Sequence, residues 1–203
     1  MKSYFPRILS FVAAAFLVAG LCRPAAVAAS AGSGFRFQFG LAYVNGTREI
    51  ADQLEKSLGA KTSFVWPIGL LIRPEWELGN NFAFGLALGP ATIITIERRY
   101  AGLGGYSDKE YNFNIPLGAD LRYSFGGTGN VAPYVRAGVR HNLVGGDSFD
   151  SGSAGVSGAA GLHFRGASGF GWALEAGYDS STAKVGTAKV KPTGFTLSLL
   201  TAF

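Results

Sequence analysis

Cysteine and histidine are nearly absent from this 203-residue sequence, which contains one cysteine, Cys22, and two histidines, His141 and His163. The two histidines stand apart and lack the spacing of metal ligands. Long apolar runs are also scarce, because beyond residue 29 none reaches the ~18 residues that suggest a membrane-spanning helix. We therefore expect no metal, no cofactor and no transmembrane helix in the mature protein.

The first 29 residues have the layout of a secretory signal peptide. Lys2 and Arg7 precede an apolar run over residues 8–22, and small residues follow over 25–29. We predict a signal peptide over 1–29 and one domain over 30–203, with an uncleaved anchor as the alternative. Cleavage also removes Cys22, which leaves the mature protein without a disulfide, a thiol nucleophile or a cysteine metal site.

The basic charge of the chain weakens once the predicted signal is removed. The whole sequence carries 18 basic and 13 acidic residues, a net charge of +5. Without Lys2, Arg7 and Arg23 there are 15 basic residues against 13 acidic ones, a net charge of +2. So small an excess argues against nucleic acid as a partner.

Apolar residues alternate with polar or small ones in about eight segments, which is the period of a strand whose faces meet different surroundings. The segments cover residues 34–44, 63–78, 82–88, 111–125, 131–142, 154–165, 170–179 and 193–203. Short glycine-rich links alternate with longer ones at 45–62, 97–109, 143–153 and 180–190. The pattern predicts an all-β fold, a single antiparallel up-and-down barrel whose long loops share one end. Bulges or strand ends are expected at Pro67, Pro90, Pro116 and Pro192.

Alternation alone leaves open which face of the barrel points inwards. A soluble, lipocalin-like barrel buries its apolar face, whereas a membrane barrel exposes that face to lipid. Two groups of aromatic residues at the strand ends favour a transmembrane barrel. They are Phe35, Trp76, Phe82, Tyr123, Phe125, Phe164, Trp172 and Phe203 at the short-link end, and Tyr43, Trp66, Tyr111 and Tyr178 at the loop end.

In a membrane barrel, the charged residues of the polar face meet inside. They are Arg36, Arg73, Glu75, Glu77, Asp120, Arg122, Arg136, Arg140, Arg165, Glu175 and Asp179. Side chains can fill the interior of a barrel of about eight strands, and an unpaired buried charge is strongly destabilising. We therefore predict that these residues form a lumen network of ion pairs.

The final segment keeps its alternation to the last residue, Phe203. This ending, with the Pro133-Tyr134-Val135-Arg136-Ala137-Gly138-Val139 stretch, resembles the small outer-membrane barrels of the OmpA transmembrane, OmpX/Ail and OmpW group. The resemblance implies secretion to the bacterial outer membrane, with outer-membrane lipid as a partner. It also implies that the terminal strand, with Phe203, is the signal for the barrel-assembly machinery.

Two features of the predicted loops are candidates for contacts. Residues 47–59 have the apolar stripe of a short helix. That helix could lie on lipid, cover the barrel mouth, meet a partner or simply pack on another loop. Near the same end, Arg98, Arg99, Lys189 and Lys191 are candidate contacts for lipopolysaccharide phosphates, with ordinary solvation as the alternative.

His141 raises the question of catalysis, because some barrels of this kind modify lipid A. The resemblance implies a serine two residues after such a histidine, but this chain has Leu143 there. Ser148 and Asp147 are near in sequence, without fixed geometry. We therefore expect a monomeric, non-enzymatic structural or surface-interaction protein, whose loops could meet a host or cell-surface ligand. A narrow channel for small or hydrophobic molecules and a lipid A-modifying enzyme are the alternatives.

Overall fold

The computed structural model describes residues 34–58, 61–99, 107–125, 130–166 and 170–202. It contains eleven strands, β1 to β11, and one helix, α1, in these ranges. The strands are β1 (Phe35–Val44), β2 (Lys61–Gly79), β3 (Phe82–Arg99), β4 (Ser107–Ser124), β5 (Val131–Gly146), β6 (Ser151–Gly152), β7 (Ala154–Arg165), β8 (Gly171–Asp179), β9 (Ala183–Val185), β10 (Ala188–Val190) and β11 (Gly194–Ala202), and α1 spans Gly46–Leu58. The predicted signal, Gly59 and Phe203 lie outside the described residues.

Eight strands close into one antiparallel barrel, in the order β1-β11-β8-β7-β5-β4-β3-β2. Closure is made by β1, which pairs with β2 on one side and with the last strand, β11, on the other. The predicted eight-stranded antiparallel barrel is therefore confirmed. No helix in the described part of the chain is long and apolar enough to cross a membrane.

The barrel wall is stepped at the loop end, because β2 to β5 extend further than their neighbours. β3 and β4 continue as a hairpin beyond the predicted strand ends, and Glu97 pairs with Lys109 there. The other long links also contain structure: α1 follows β1, and β6, β9 and β10 form a small three-stranded sheet. The described parts of the links predicted as long loops thus contain regular structure.

Two of the four prolines coincide with irregular pairing. The β2–β3 register shifts between Trp66 and Leu70, around Pro67, and both ladders of β3 shift around Pro90. Pro116 lies in β4 beside the irregular stretch of β3, and Pro192 lies just before β11. Because a bulge interrupts the ladder, the missing proline donor is tolerated there.

The interior is divided into a polar middle and an apolar loop end. Ile50 of α1, Ile94 and Ile96 of β3, and side chains of the small sheet form a buried cluster, here called the loop-end core. Its other members are Phe149, Ala183, Val185 and Val190. α1 therefore packs on neighbouring elements of the loop end, one of the arrangements left open by the sequence. Leu54 and Leu58 lie on α1, but their side chains are outside the described set.

Candidate functional site

The middle of the lumen is filled by arginine and carboxylate side chains. They are Arg73, Glu75, Asp120, Arg122, Arg136, Arg140 and Glu175, each no more than 8% exposed. All seven were predicted from the alternation to point inwards. The structure brings them into direct contact, and we call them the lumen network.

Arg136 is the centre of the lumen network. Its two terminal nitrogens contact Asp120 and Glu75, and its Nε lies 3.3 Å from Oε2 of Glu175. Glu75 is on β2 and Glu175 on β8, neither of which neighbours β5 in the sheet. One side chain therefore ties three strands together across the lumen.

A second set of contacts joins β2 to β8. The guanidinium of Arg73 donates to both carboxylate oxygens of Glu175, at 3.1 Å each. Tyr134, which is fully buried, donates its hydroxyl to Oε2 of the same carboxylate at 2.9 Å. Such a bidentate pair fixes the relative orientation of the two side chains as well as their distance.

Sequence reasoning left Tyr134 and Gln38 out of the network. Both side chains lie on the inward face of their strands, and Gln38 bridges Glu75 at 3.2 Å and Arg73 at 3.3 Å. Their position was readable from the alternation, since Tyr134 shares its face with Arg136. The predicted network contained only charged residues, and Tyr134 and Gln38 are neutral.

The remaining predicted charges lie at the edges of the lumen. Arg122 contacts Glu77 at 3.0 Å, and Glu77 also pairs with the half-buried Arg36 at 3.1 Å. Asp179 is buried at the end of β8, where it accepts a hydrogen bond from the Ser181 backbone N–H. Arg165 differs from the prediction: it is exposed at the end of β7, where the strand leaves the lumen.

Glycines on the inward face make room for these long side chains. A Cβ atom at Gly118 would lie 2.6 Å from Cδ of Arg140, and one at Gly161 would lie 2.5 Å from the ring of Tyr134. Neither distance is compatible with normal packing. The glycine-rich polar face is therefore what allows arginine and tyrosine to lie flat across so narrow a barrel.

A cavity of about 40 Å³ lies on the loop side of the lumen network. Arg73, Arg140, Asp179, Thr193 and Ser198 are among the side chains that line it. Since a buried water needs ~10–15 Å³ measured in this way, the cavity has room for about three waters. It is far below the ~300–1,000 Å³ of an ordinary small-molecule pocket.

The predicted basic contacts fall into two groups, and Lys184 lies beside one of them. Lys184 and Lys189 are exposed and lie directly opposite each other in the β9–β10 hairpin. Lys191, just after that hairpin, donates to the hydroxyl of Tyr178 at 2.8 Å, which raises the pKa of the lysine. Arg98 and Arg99 belong to β3, where their backbones pair with Asp108 and Ser107.

The geometry does not assemble a catalytic pair around His141. This histidine is exposed on the outward face of β5, as is Leu143. Ser148 is buried on the inner side, where it donates to Glu110 at 2.8 Å and its backbone N–H donates to Asn112. His163, on the lumen face of β7, is also buried, and its Nε2 has no hydrogen-bond partner in the described part of the chain.

The exterior of the barrel is apolar over most of its height. Exposed Leu41, Leu121, Val139, Leu174 and Leu199 lie on its wall. Aromatic pairs mark the short-link end, including Phe35–Trp76, Phe82–Tyr123 and Phe164–Trp172. Tyr43 and Tyr178 are exposed towards the loop end. An ion-paired interior within an apolar exterior, bounded by aromatic rings, defines a transmembrane β-barrel.

The chain belongs to the outer membrane protein beta-barrel domain family, whose model matches residues 13–203. No curated protein matches it significantly in sequence. Among solved structures it is similar to neisserial surface protein A, with 15% identity over 84% of this chain and 96% of that one, and a TM-score of 0.51. OprG of Pseudomonas aeruginosa has 14% identity over 83% and 95% of the two chains, with a TM-score of 0.48. At these identities the likeness extends to the fold alone.

Proposed function

We propose that this outer-membrane barrel is a closed, non-enzymatic structural protein that makes its contacts through its loop end. The observation that carries this proposal is the lumen network, which joins β2, β5 and β8 across the interior through Arg136, Glu75 and Glu175. Side chains that are nearly fully buried and mutually paired leave no continuous aqueous path at their level. The loop-end core adds an apolar layer above them.

Closure predicts how the protein behaves in planar lipid bilayers. The wild-type protein is expected to give no steady, discrete conductance, because ions would have to displace paired arginine and carboxylate groups. A double variant, Arg73→Ala with Glu175→Ala, removes both members of the β2–β8 pair and is expected to increase ion leakage. Single-channel recording of both proteins provides the test.

Steady conductance steps from the wild-type protein would contradict closure and support the narrow channel instead. The exposed lysine variant Lys56→Gln is a matched control, since Lys56 lies on α1 away from the lumen network. The conductance record of Lys56→Gln should be the same as that of the wild type.

The absence of catalysis rests on the separation of His141 from Ser148. One side chain faces outwards and the other is buried and hydrogen-bonded to Glu110. Mass spectrometry of lipid A from cells with and without the protein tests this view. A protein-dependent change in acyl chains or phosphates that disappears in His141→Ala would overturn it.

For the loop end, we propose contact with anionic phosphates, such as those of lipopolysaccharide. Lys184 and Lys189 face each other across a two-stranded ladder, where like charges repel. An anion between them would relieve that repulsion, and Lys191 lies next to the same hairpin. Arg98 and Arg99 provide a second candidate group at the end of β3.

Neutralising Lys189 and Lys191 is expected to weaken binding to anionic lipid. Each lysine near a charged lipid surface contributes about 1 kcal/mol, so Lys189→Gln with Lys191→Gln should reduce the affinity about 30-fold. Flotation with vesicles that contain lipopolysaccharide measures the change, with Lys56→Gln as the control. Arg98→Gln with Arg99→Gln tests the second group separately. Unchanged affinity in both double variants would contradict the proposed contacts.

A further inference from the structure

The apolar exterior is much taller on one side of the barrel than on the other. β4 and the residue after it present eight consecutive outward positions without a charge, from Tyr111 to Phe125. β8 and the residue before it present five, from Phe170 to Tyr178. Both rows start at the same ring of aromatic residues, where Tyr123 packs on Phe125 and Phe164 on Trp172. The difference in height therefore appears at the loop end.

The taller row exceeds the hydrocarbon thickness of an outer membrane. With a rise of ~3.4 Å per residue and a strand tilt of ~40°, Tyr111 to Phe125 spans about 35 Å along the barrel axis. The row beside and on β8, from Phe170 to Tyr178, spans about 20 Å by the same estimate. A typical lipid-facing band is ~25 Å tall. About 10 Å of apolar surface on β4 thus stands above the band.

This excess surface continues onto the neighbouring strands, and we call it the upper wall patch. Its members are Phe64 on β2, Ile93 on β3, Tyr111 and Phe113 on β4, and Leu143 on β5. Ile93 pairs with Phe113, and Tyr111 is 57% exposed. The ring of Phe113 covers Gly145, where a Cβ would lie 2.4 Å from the ring. The inner side of the same wall carries Ile94 and Ile96 of the loop-end core, whereas no described residue covers the outer side.

A lysine beside a tyrosine marks the upper limit of the apolar surface on both sides. On β4 the next outward residue after Tyr111 is the exposed Lys109. On the opposite side, Lys191 is hydrogen-bonded to Tyr178. Tyrosine and lysine are residues that settle at the boundary between lipid and water. The two markers lie at different heights on the barrel.

We propose that the upper wall patch binds the acyl chains of outer-leaflet lipid. The patch is continuous with the lipid-facing band, and its first charged residue, Lys109, comes only after Tyr111. The lipid surface then meets the barrel obliquely, higher along β3 and β4 than along β8. The β9–β10 hairpin rises from the lower side, where its lysines lie above the acyl chains and can still meet lipid phosphates.

Tryptophan fluorescence can measure the depth of the patch in a membrane. The three native tryptophans, Trp66, Trp76 and Trp172, are replaced by phenylalanine, and one new tryptophan is introduced as Tyr111→Trp or Tyr178→Trp. Each protein is reconstituted in phosphatidylcholine vesicles with brominated acyl chains, and separately exposed to aqueous iodide. Lys189→Trp, on the exposed hairpin, serves as the water reference.

Brominated lipid is expected to quench the tryptophan at position 111 as strongly as the one at position 178, with weak quenching by iodide at both. Strong iodide quenching at 111, equal to that at 189, together with no effect of brominated lipid, would overturn the proposal and leave the patch for a protein partner. A heat-induced shift in gel mobility verifies that each variant is folded. If Tyr111→Trp does not fold, Phe113→Trp probes the same surface.

Discussion

Replacing Arg136 with methionine is expected to reduce the free energy of unfolding by about 3–5 kcal/mol, the usual cost of breaking a buried ion pair from one side. Methionine keeps most of the side-chain volume, so the loss comes from charge and hydrogen bonds. Glu75, Asp120 and Glu175 each lose a partner, and all three are nearly fully buried. Urea titration of the barrel in detergent, followed by tryptophan fluorescence, measures the loss.

Two further variants separate the lumen network from charge in general. Arg165→Met removes an arginine that is exposed at the end of β7, and it is expected to change stability by less than about 0.5 kcal/mol. Glu75→Gln added to Arg136→Met should recover part of the loss, because one fewer carboxylate is left without its partner. Equal effects of Arg136→Met and Arg165→Met would contradict a structural role for the network.

The barrel itself was predictable because its two faces meet opposite environments along every strand. β4 shows this best: Phe113, Leu117 and Leu121 face outwards, while Asn114 and Asp120 are buried. When the alternation runs unbroken along a strand, only one orientation of that strand buries its polar side chains and exposes its apolar ones to lipid. The same rule placed each charged residue of the lumen network on the inside before any contact was known.

The loop-end core was not predictable, because one irregularity reverses the alternation of β3. Before the shift at Pro90, outward residues have even numbers, such as Phe84 and Leu86; after it, Ile93 faces outwards and Ile94 is buried. A single extra residue moves every later side chain to the other face. Alternation counted across residues 82–99 as one strand assigns the wrong face to Ile94 and Ile96.

The pairing within the lumen network also required the three-dimensional register. Arg73 and Glu175 are 102 positions apart in sequence and lie on strands that are not neighbours. Their contact depends on how far the strands are staggered around the closed barrel. Following the ladders from Val44 through Thr196, Gly177, Ala159, Arg136, Arg122, Ala83 and Glu77 leads back to Gly34, a displacement of ten residues on β1. That displacement depends on how all eight strands pair, so it cannot be read from any one segment of the sequence. Which face of a strand carries the polar side chains can be read from that strand alone.

Deleting Phe203 is expected to reduce insertion into the outer membrane severalfold, while leaving the stability of the folded barrel nearly unchanged. Phe203 lies outside the described residues, but the strand before it closes the barrel: Ala202 pairs with Gln38 of β1 and with Gly171 of β8. The resemblance to small outer-membrane barrels implies that such a terminal strand is read by the assembly machinery before the barrel has formed. A charged tail added after Phe203 should have the same effect.

Two measurements, assembly in cells and refolding in detergent, distinguish recognition of the terminal strand by the assembly machinery from the stability of the folded barrel. The folded fraction in outer-membrane preparations is read from the heat-induced shift in gel mobility, and refolding of the purified chain is followed by tryptophan fluorescence. Phe35→Ala is the matched control, since it removes an exposed aromatic at the short-link end from β1 instead of the terminal strand. Recognition predicts that the Phe203 deletion fails in cells and refolds in detergent, whereas Phe35→Ala succeeds in both. Normal insertion of the truncated chain would show that assembly does not depend on the terminal aromatic residue.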